Sequence, residues 1–208
     1  MSVCLFFSSF LWTSMLRYVV AFCLLALSWA QQNCQVANIQ VMPNFNRTLY
    51  AGTWYAVAKK DPEGLFLIDN VVAHFQIEED GTMTATASGR VIILNNWEMC
   101  AQMLATFEET LDPAKFRMKY WGVANYLQSG NDDHWVIATD YDNYAVHYSC
   151  RVVDADGTCL DGYSFIFSRH PTGLRAEDQA TVTQMKADIC MLGKYRRVPH
   201  TGFCDTAT

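Results

Sequence analysis

Hydrophobic and polar residues alternate in short runs between residues 52 and 169, and turn residues separate one run from the next. In one run the hydrophobic side chains occupy every second position, at Val71, Ala73, Phe75 and Ile77. A period of two places such side chains on one face of a β-strand. About eight runs without intervening helices predict an all-β fold, either a sandwich or an up-and-down barrel. A barrel would also remove the exposed edges that a lone sheet presents.

The hydrophobic period changes after Arg169. Val182, Met185 and Ile189 are spaced by three and then four residues, which puts them on one face of a helix. The sequence therefore predicts one C-terminal helix from about residue 176 to residue 191, packed on the outside of the barrel. Gly193 is the expected helix terminator.

The first thirty residues have the character of a leader. Arg17 precedes an apolar run from Val19 to Leu27, and the small residues Ser28 and Ala30 follow it. We expect residues 1–30 to be a signal peptide cleaved after Ala30, with Met15 as an alternative start. A membrane anchor is the other interpretation, but Arg17 divides the apolar stretch into pieces shorter than the roughly 20 residues of a spanning helix. Residues 31–208 would then form one secreted domain.

The charge and the cysteines narrow the function classes. Fifteen basic and 21 acidic side chains give a formal charge of −6, which disfavours nucleic acid as a partner. Of eight cysteines, Cys4 and Cys23 lie in the leader, and the even set that remains predicts disulfides in an oxidising compartment. Spacing alone leaves most pairings open. Only Cys150 and Cys159, which flank an Asp-Gly turn, are expected from the pattern to face each other across adjacent strands.

Three short blocks follow one another in the order and at the distances that lipocalins show: Gly52-Thr53-Trp54, Thr139-Asp140-Tyr141 and Arg169. The chain thus resembles the lipocalin family, which implies an eight-stranded up-and-down barrel with one helix outside. The resemblance also implies that Trp54 plugs the closed end and that Arg169 stacks over it, a cation–π contact of about 0.5–2 kcal/mol. Both residues are therefore expected to be structural.

Longer segments resemble one branch of this family, the retinol carriers of plasma. They are residues 55–67, 94–97, 119–122 and 130–135, and the resemblance extends from about Cys34 to Cys204. It implies a carrier of all-trans retinol, with no cofactor, no metal and no enzymatic activity. It also implies the disulfides Cys34–Cys190, Cys100–Cys204 and Cys150–Cys159.

The expected cavity depends on small side chains at inward positions. Ala73, Ala85 and Ala87 fall on the inward parity, where a packed core would favour larger residues. We expect His134 to be a neutral wall residue. No inward Lys or Arg is expected on the strands, which favours retinol over retinoic acid. By the resemblance the ligand-binding residues, besides the three alanines, are Leu65, Phe66, Leu67, Phe75, Val91, Met103, Phe107, Met118, Tyr120, Gln128, His134, Tyr163 and Phe165.

A second set of residues surrounds the outside of the mouth. Trp97, Lys119 and Trp121 alternate with inward residues and are expected to project into solvent, unless a neighbouring loop partly buries them. The resemblance implies that this surface contacts transthyretin and that an overlapping rim meets a membrane retinol receptor. Asn125 and Ser129 depart from the residues of mammalian members, which leaves the strength of transthyretin binding open. The full surface is Leu65, Ile93, Leu94, Trp97, Lys119, Trp121, Tyr126 and Leu127. We expect a chain that is monomeric by itself and located in blood plasma.

Two other functions compete with this interpretation. A lipocalin of the prostaglandin-isomerase type would need a free thiol facing the cavity, whereas every cysteine after residue 30 has an expected partner. A retinal lipocalin that acts in cell adhesion would share the barrel and the ligand, but Asn95-Asn96-Trp97 and Tyr120-Trp121-Gly122 resemble the plasma carriers more. The sequence leaves open the affinity for retinol and whether the Asn46-Arg47-Thr48 sequon carries a glycan.

Overall fold

The computed structural model describes residues 34–63, 67–94, 96–121 and 132–204 of the chain. Its two helices are α1 (Arg47–Tyr50) and α2 (Gln179–Asp188), and short 3-10 turns span Val36–Asn38 and Ala176–Asp178. No helix among the described residues is both long and apolar enough to cross a membrane. The strands are β1 (Gly52–Lys60), β2 (Asp69–Ile77), β3 (Met83–Ile93), β4 (Trp97–Glu109), β5 (Lys115–Trp121), β6 (Asp132–Thr139), β7 (Tyr144–Val153), β8 (Cys159–Ser168) and β9 (Arg196–Arg197).

The sheet closes on itself through its first strand. Strands β2 to β8 pair in chain order, and β1 pairs with β8 on one side and with β2 on the other, always antiparallel. A bulge between Ala56 and Ala58 marks the point beyond which β1 leaves β2 and pairs with the short strand β9. The predicted eight-stranded antiparallel barrel with an external helix is confirmed, and the sandwich alternative is wrong.

The C-terminal helix packs outside the barrel, as predicted, but it ends differently. Val182 and Ile189 are buried against Tyr148 and other side chains of the outer barrel face. The α-helix ends at Asp188, and Cys190 adopts a left-handed conformation with φ of 57°. The amides of residues 190 and 191 then donate to the carbonyls of residues 187 and 186, which is a Schellman ending. The prediction that Gly193 ends the helix is therefore wrong. Cys190 takes this position, and its disulfide holds it there.

Three disulfides join the described cysteines: Cys34–Cys190, Cys100–Cys204 and Cys150–Cys159. Cys150 and Cys159 lie on adjacent strands but are not directly opposed, because Cys150 faces Gly162 and Cys159 faces Val153 across two bulges. The expected pairing across adjacent strands is confirmed, with the two residues offset in the register. A side chain at position 162 would collide with the bridge, since a Cβ there would lie 2.9 Å from the Cys159 sulfur.

The Trp54 side chain closes the end of the barrel at which β1 begins. Its indole is fully buried, and the Arg169 guanidinium carbon lies 3.7 Å from the indole centroid. The same guanidinium donates to the carbonyls of Ala51, Thr53 and Tyr141 at 2.9–3.0 Å. The planar fork of donors thus ties together the three blocks from which the family resemblance was drawn.

We predict that Arg169→Lys lowers the free energy of unfolding by about 2–4 kcal/mol, because an ammonium loses both the stacking and most of the fork of hydrogen bonds. Urea unfolding followed by tryptophan fluorescence measures this change. Arg117→Lys is the matched control: Arg117 is exposed and lies 3.5 Å from Asp133, so its loss should stay below about 0.5 kcal/mol. Equal losses in the two variants would contradict the structural role of Arg169.

Candidate ligand-binding site

A cavity occupies the interior of the barrel. The centre of a water molecule could occupy about 80 Å³ of it, against roughly 10–15 Å³ for a site that holds one water. The interior is therefore not a solid core. Twelve of the expected site residues line the cavity: Leu67, Ala73, Phe75, Ala85, Ala87, Met103, Phe107, Met118, Tyr120, His134, Tyr163 and Phe165.

Four alanines from three neighbouring strands make one wall of this cavity. Ala73 on β2 is paired with Ala87 on β3, and Ala85 on β3 is paired with Ala105 on β4. All four line the cavity. Because methyl groups fill less space than the Leu or Val of an ordinary core, their clustering leaves the middle of the barrel open.

The structure also departs from the expected site. Val91 is buried on the inward parity of β3 but does not line the cavity, so its assignment to the lining is not supported by the geometry. Leu65, Phe66 and Gln128 lie outside the described residues. Sequence reasoning missed Val71, Ala105, His147 and Phe167 in the lining. Val71, Ala105 and Phe167 each lie two residues from an expected cavity residue on the same strand, so strict alternation could have predicted them. His147 lies on β7, which is buried on both faces and gives no alternating signal.

A polar cluster lies beside the part of the cavity that is farther from Trp54. This Asp132 cluster consists of Asp132, Tyr120, Tyr163 and Arg151. One Asp132 carboxylate oxygen accepts hydrogen bonds from the hydroxyls of Tyr120 and Tyr163, at 3.2 and 3.1 Å. It also accepts from Nε and Nη2 of Arg151, at 3.0 and 2.9 Å. Burial raises the pKa of both tyrosines, so their hydroxyls remain protonated donors. The cluster joins the starts of β6 and β8 to the ends of β5 and β7, which is the end of the barrel away from Trp54.

The expectation that no cation points inward is wrong. Lys59 is completely buried, and its Nζ lies 6.0 Å from the ring centroid of the cavity residue Phe165. It lies 2.6 Å from an Asp61 carboxylate oxygen and donates to the Leu67 carbonyl. Burial lowers the pKa of Lys59 to about 8. Like Arg151, Lys59 thus has a carboxylate partner, and a carboxylate ligand would have to compete with that partner.

Two histidine rings lie against each other inside the barrel, next to the Asp132 cluster on the side of the closed end. The rings of His134 and His147 have centroids 4.3 Å apart, and both line the cavity. Burial lowers the pKa of His134 to about 3, and burial and the neighbouring imidazole together lower the pKa of His147. Both rings are therefore neutral at physiological pH, which agrees with the expected neutral state of His134.

The surface around the mouth exposes several large apolar side chains. Leu94 is 86% exposed, Trp97 63% and Trp121 49%. Lys119 is also exposed, and its Nζ lies 5.1 Å from the Trp121 ring centroid. Trp97 and Ala105 have the same parity on β4, so Trp97 is not on the outward face that the alternation predicted. It is exposed because this end of β4 extends beyond the cavity. Ile93 is half-buried. Leu65, Tyr126 and Leu127 lie outside the described residues, as do Asn125 and Ser129.

The burial of His134 predicts a loss of stability in mild acid. Its pKa is about 3 in the folded chain and about 6.5 in an unfolded chain, so between these values only the unfolded chain binds the proton. We expect the free energy of unfolding to fall by about 2 kcal/mol from this residue between pH 7 and pH 5.

Urea unfolding of the ligand-free protein at both pH values measures this fall. His134→Gln should remove its share of the pH dependence, whereas His170→Gln, at an exposed histidine, should not. An unchanged pH dependence in His134→Gln would contradict the prediction.

Comparisons with known proteins agree with this architecture. Residues 51–185 match the model of the Lipocalin / cytosolic fatty-acid binding protein family. The fold is also that of lobster apocrustacyanin A1, with a TM-score of 0.59 at 21% identity over 74% of this chain and 79% of that one. Insecticyanin from Manduca sexta gives a TM-score of 0.54 at 18% identity, covering 77% and 83%.

Closer relatives share most of the sequence. Retinol-binding protein 4-A of Oncorhynchus mykiss is 75% identical over 84% of this chain and 99% of its own length. Retinol-binding protein 4 of Gallus gallus is 56% identical over 94% and 99%, and purpurin of Gallus gallus is 52% identical over 83% and 89%. The expected resemblance to retinol carriers is confirmed. Such proteins are carriers and not enzymes, as expected for this chain. The chain belongs to the lipocalin family.

Proposed function

We propose that this chain is a secreted carrier that binds all-trans retinol in the barrel cavity and delivers it through plasma to cell-surface receptors. The observation that carries the proposal is the alanine-walled cavity, closed by Trp54 at one end, in a chain 75% identical to a protein named for retinol binding. In this proposal residues 1–30 are removed and residues 31–208 form the carrier. The three disulfides fit an extracellular protein.

The apolar and polar parts of retinol match the apolar and polar parts of this cavity. Its ring and polyene offer about 500 Å² of apolar surface, worth roughly 10–12 kcal/mol gross at 25 cal/mol per Å² before the cost of immobilisation. Its one hydroxyl needs a polar partner. The alcohol would lie at the mouth of the barrel, beyond the Asp132 cluster, where solvent can serve as that partner, and the ring would lie deeper. A neutral alcohol displaces no carboxylate from Lys59 or Arg151, which favours it over an acid.

We predict that Ala85→Leu weakens retinol binding by more than about tenfold, because the larger side chain fills the space between β2 and β4 that the ligand would occupy. Titration with retinol, followed by quenching of tryptophan fluorescence, measures the dissociation constant. Thr86→Leu is the matched control, since it adds a similar side chain on the opposite face of the same strand. Unchanged affinity in Ala85→Leu would exclude the cavity as the binding site.

The rim of the mouth supports a second part of the proposal, a complex with transthyretin. Leu94 and Trp97 expose apolar area at the β3–β4 turn, where Ile93 is paired with Trp97, and Trp121 exposes its ring at the end of β5, where it is paired with Leu104. Aromatic side chains of this kind dominate the energy of many protein interfaces. The free chain would be monomeric, and a receptor at the cell surface would meet an overlapping rim.

We predict that Trp97→Ala with Trp121→Ala weakens binding of the retinol-loaded protein to transthyretin by at least about tenfold. Sedimentation velocity of the mixture measures complex formation. Leu111→Ala, at an exposed residue between β4 and β5 at the opposite end of the barrel, is the control and should bind as the wild type does. Failure of the loaded wild-type protein to form a complex would refute the transthyretin assignment and leave retinol binding untouched.

A further inference from the structure

The imidazole pair His134–His147 carries hydrogen-bonding capacity that the described part of the chain does not use. Nε2 of His134 and both ring nitrogens of His147 are buried and have no hydrogen-bond partner among the described residues. Both side chains are almost completely buried, at 4% and 1% exposure. Buried polar groups are normally satisfied, and leaving one unpaired is costly. An apolar cavity for a wholly apolar ligand would need neither imidazole.

The protonation state defines what the pair can recognise. Each ring is neutral because burial opposes its protonation. A neutral imidazole has one nitrogen that donates and one that accepts. The pair therefore offers a donor to a carbonyl oxygen, and both a donor and an acceptor to a hydroxyl. It offers no net charge to a carboxylate.

The position of the pair relates it to the deep end of a ligand. The His134 ring lies 4.8 Å from Phe107 and 5.7 Å from Phe75. Phe75 contacts Tyr50, which in turn contacts the closing Trp54. The pair thus lies between this aromatic layer at the closed end and the Asp132 cluster near the open end. His134 is two residues from Asp132 on β6, and the Tyr163 ring lies 5.4 Å from the His147 ring, so the pair is next to the cluster. A slim ligand whose alcohol lies at the mouth, beyond the Asp132 cluster, would bring its opposite end to the histidines.

We propose that His134 and His147 form a second polar subsite, which accepts an oxygen on the buried ring of the ligand. The ligand class is a retinoid alcohol whose ring carries a keto or hydroxyl group. This inference rests on the proposed retinol function and deepens it, because it names a substituent that the closed half of the cavity selects. Ring-oxygenated retinoids gain a hydrogen bond there, whereas plain retinol leaves the imidazoles unpaired.

Competitive titration at neutral pH with all-trans 4-oxoretinol and all-trans retinol tests the proposal. We expect the wild-type protein to bind the keto compound about fivefold more tightly, the effect of one net hydrogen bond in a buried site. His147→Leu should bring the ratio of dissociation constants close to one, His147→Gln should keep part of the preference through its amide donor, and His170→Leu, outside the cavity, should keep all of it. Tryptophan quenching reports both affinities, and thermal unfolding checks that each variant is folded.

Two results would overturn the subsite. One is equal or weaker binding of 4-oxoretinol by the wild-type protein, as expected if the pair only packs or holds a structural water. The other is an undiminished preference in a folded His147→Leu variant. If neither compound binds the wild-type protein, the proposed function itself fails, so the two failures are distinguishable.

Discussion

Closure of the sheet by β1 is the constraint from which the cavity follows. Strand β1 forms hydrogen bonds with both β2 and β8, which would otherwise be the edges of the sheet. The inward faces of the strands are thereby removed from water. The closed end is then sealed by Trp54, and Arg169 fixes that indole from outside while it donates to backbone carbonyls of three segments. Because this layer supplies a solid base, the alanines above it can leave space without opening a channel through the molecule.

The polar groups inside the barrel are arranged so that little net charge faces the cavity. Arg151 is paired with Asp132, and Lys59 is paired with Asp61. Burial keeps both histidines uncharged. A buried ion pair costs desolvation energy and is weak evidence for added stability. Its effect here is on the ligand: a neutral polar group can join these clusters, while an anion has to displace a carboxylate from its cation.

Much of the fold and part of the site follow from the period of two. The parity of Ala73, Ala85 and Ala87 places all three in the cavity wall, because β2 and β3 are regular there. Parity fails where the backbone is irregular. The bulge between Ala56 and Ala58 shifts the alternation of β1, so that Lys59 is buried in place of Lys60. The alternation did not indicate His147 as a cavity residue for another reason. Helix α2 covers the outer face of the barrel, and Tyr148 is buried beneath it, so neighbouring residues on β7 are buried on opposite faces.

The exposed rim depends on how the β3–β4 ribbon is supported. The β3–β4 pairing continues to Ile93 and Trp97, whereas within the described residues β5 pairs with β4 only from Leu104 onward. A two-stranded ribbon is marginally stable by itself. The C-terminal segment supports it from outside through the Cys100–Cys204 bridge and through Arg90, which pairs with Glu98 at 2.9 Å and lies over the Phe203 ring. A ribbon held in this way presents Trp97 with less conformational freedom to lose on binding, which lowers the entropic cost for a partner.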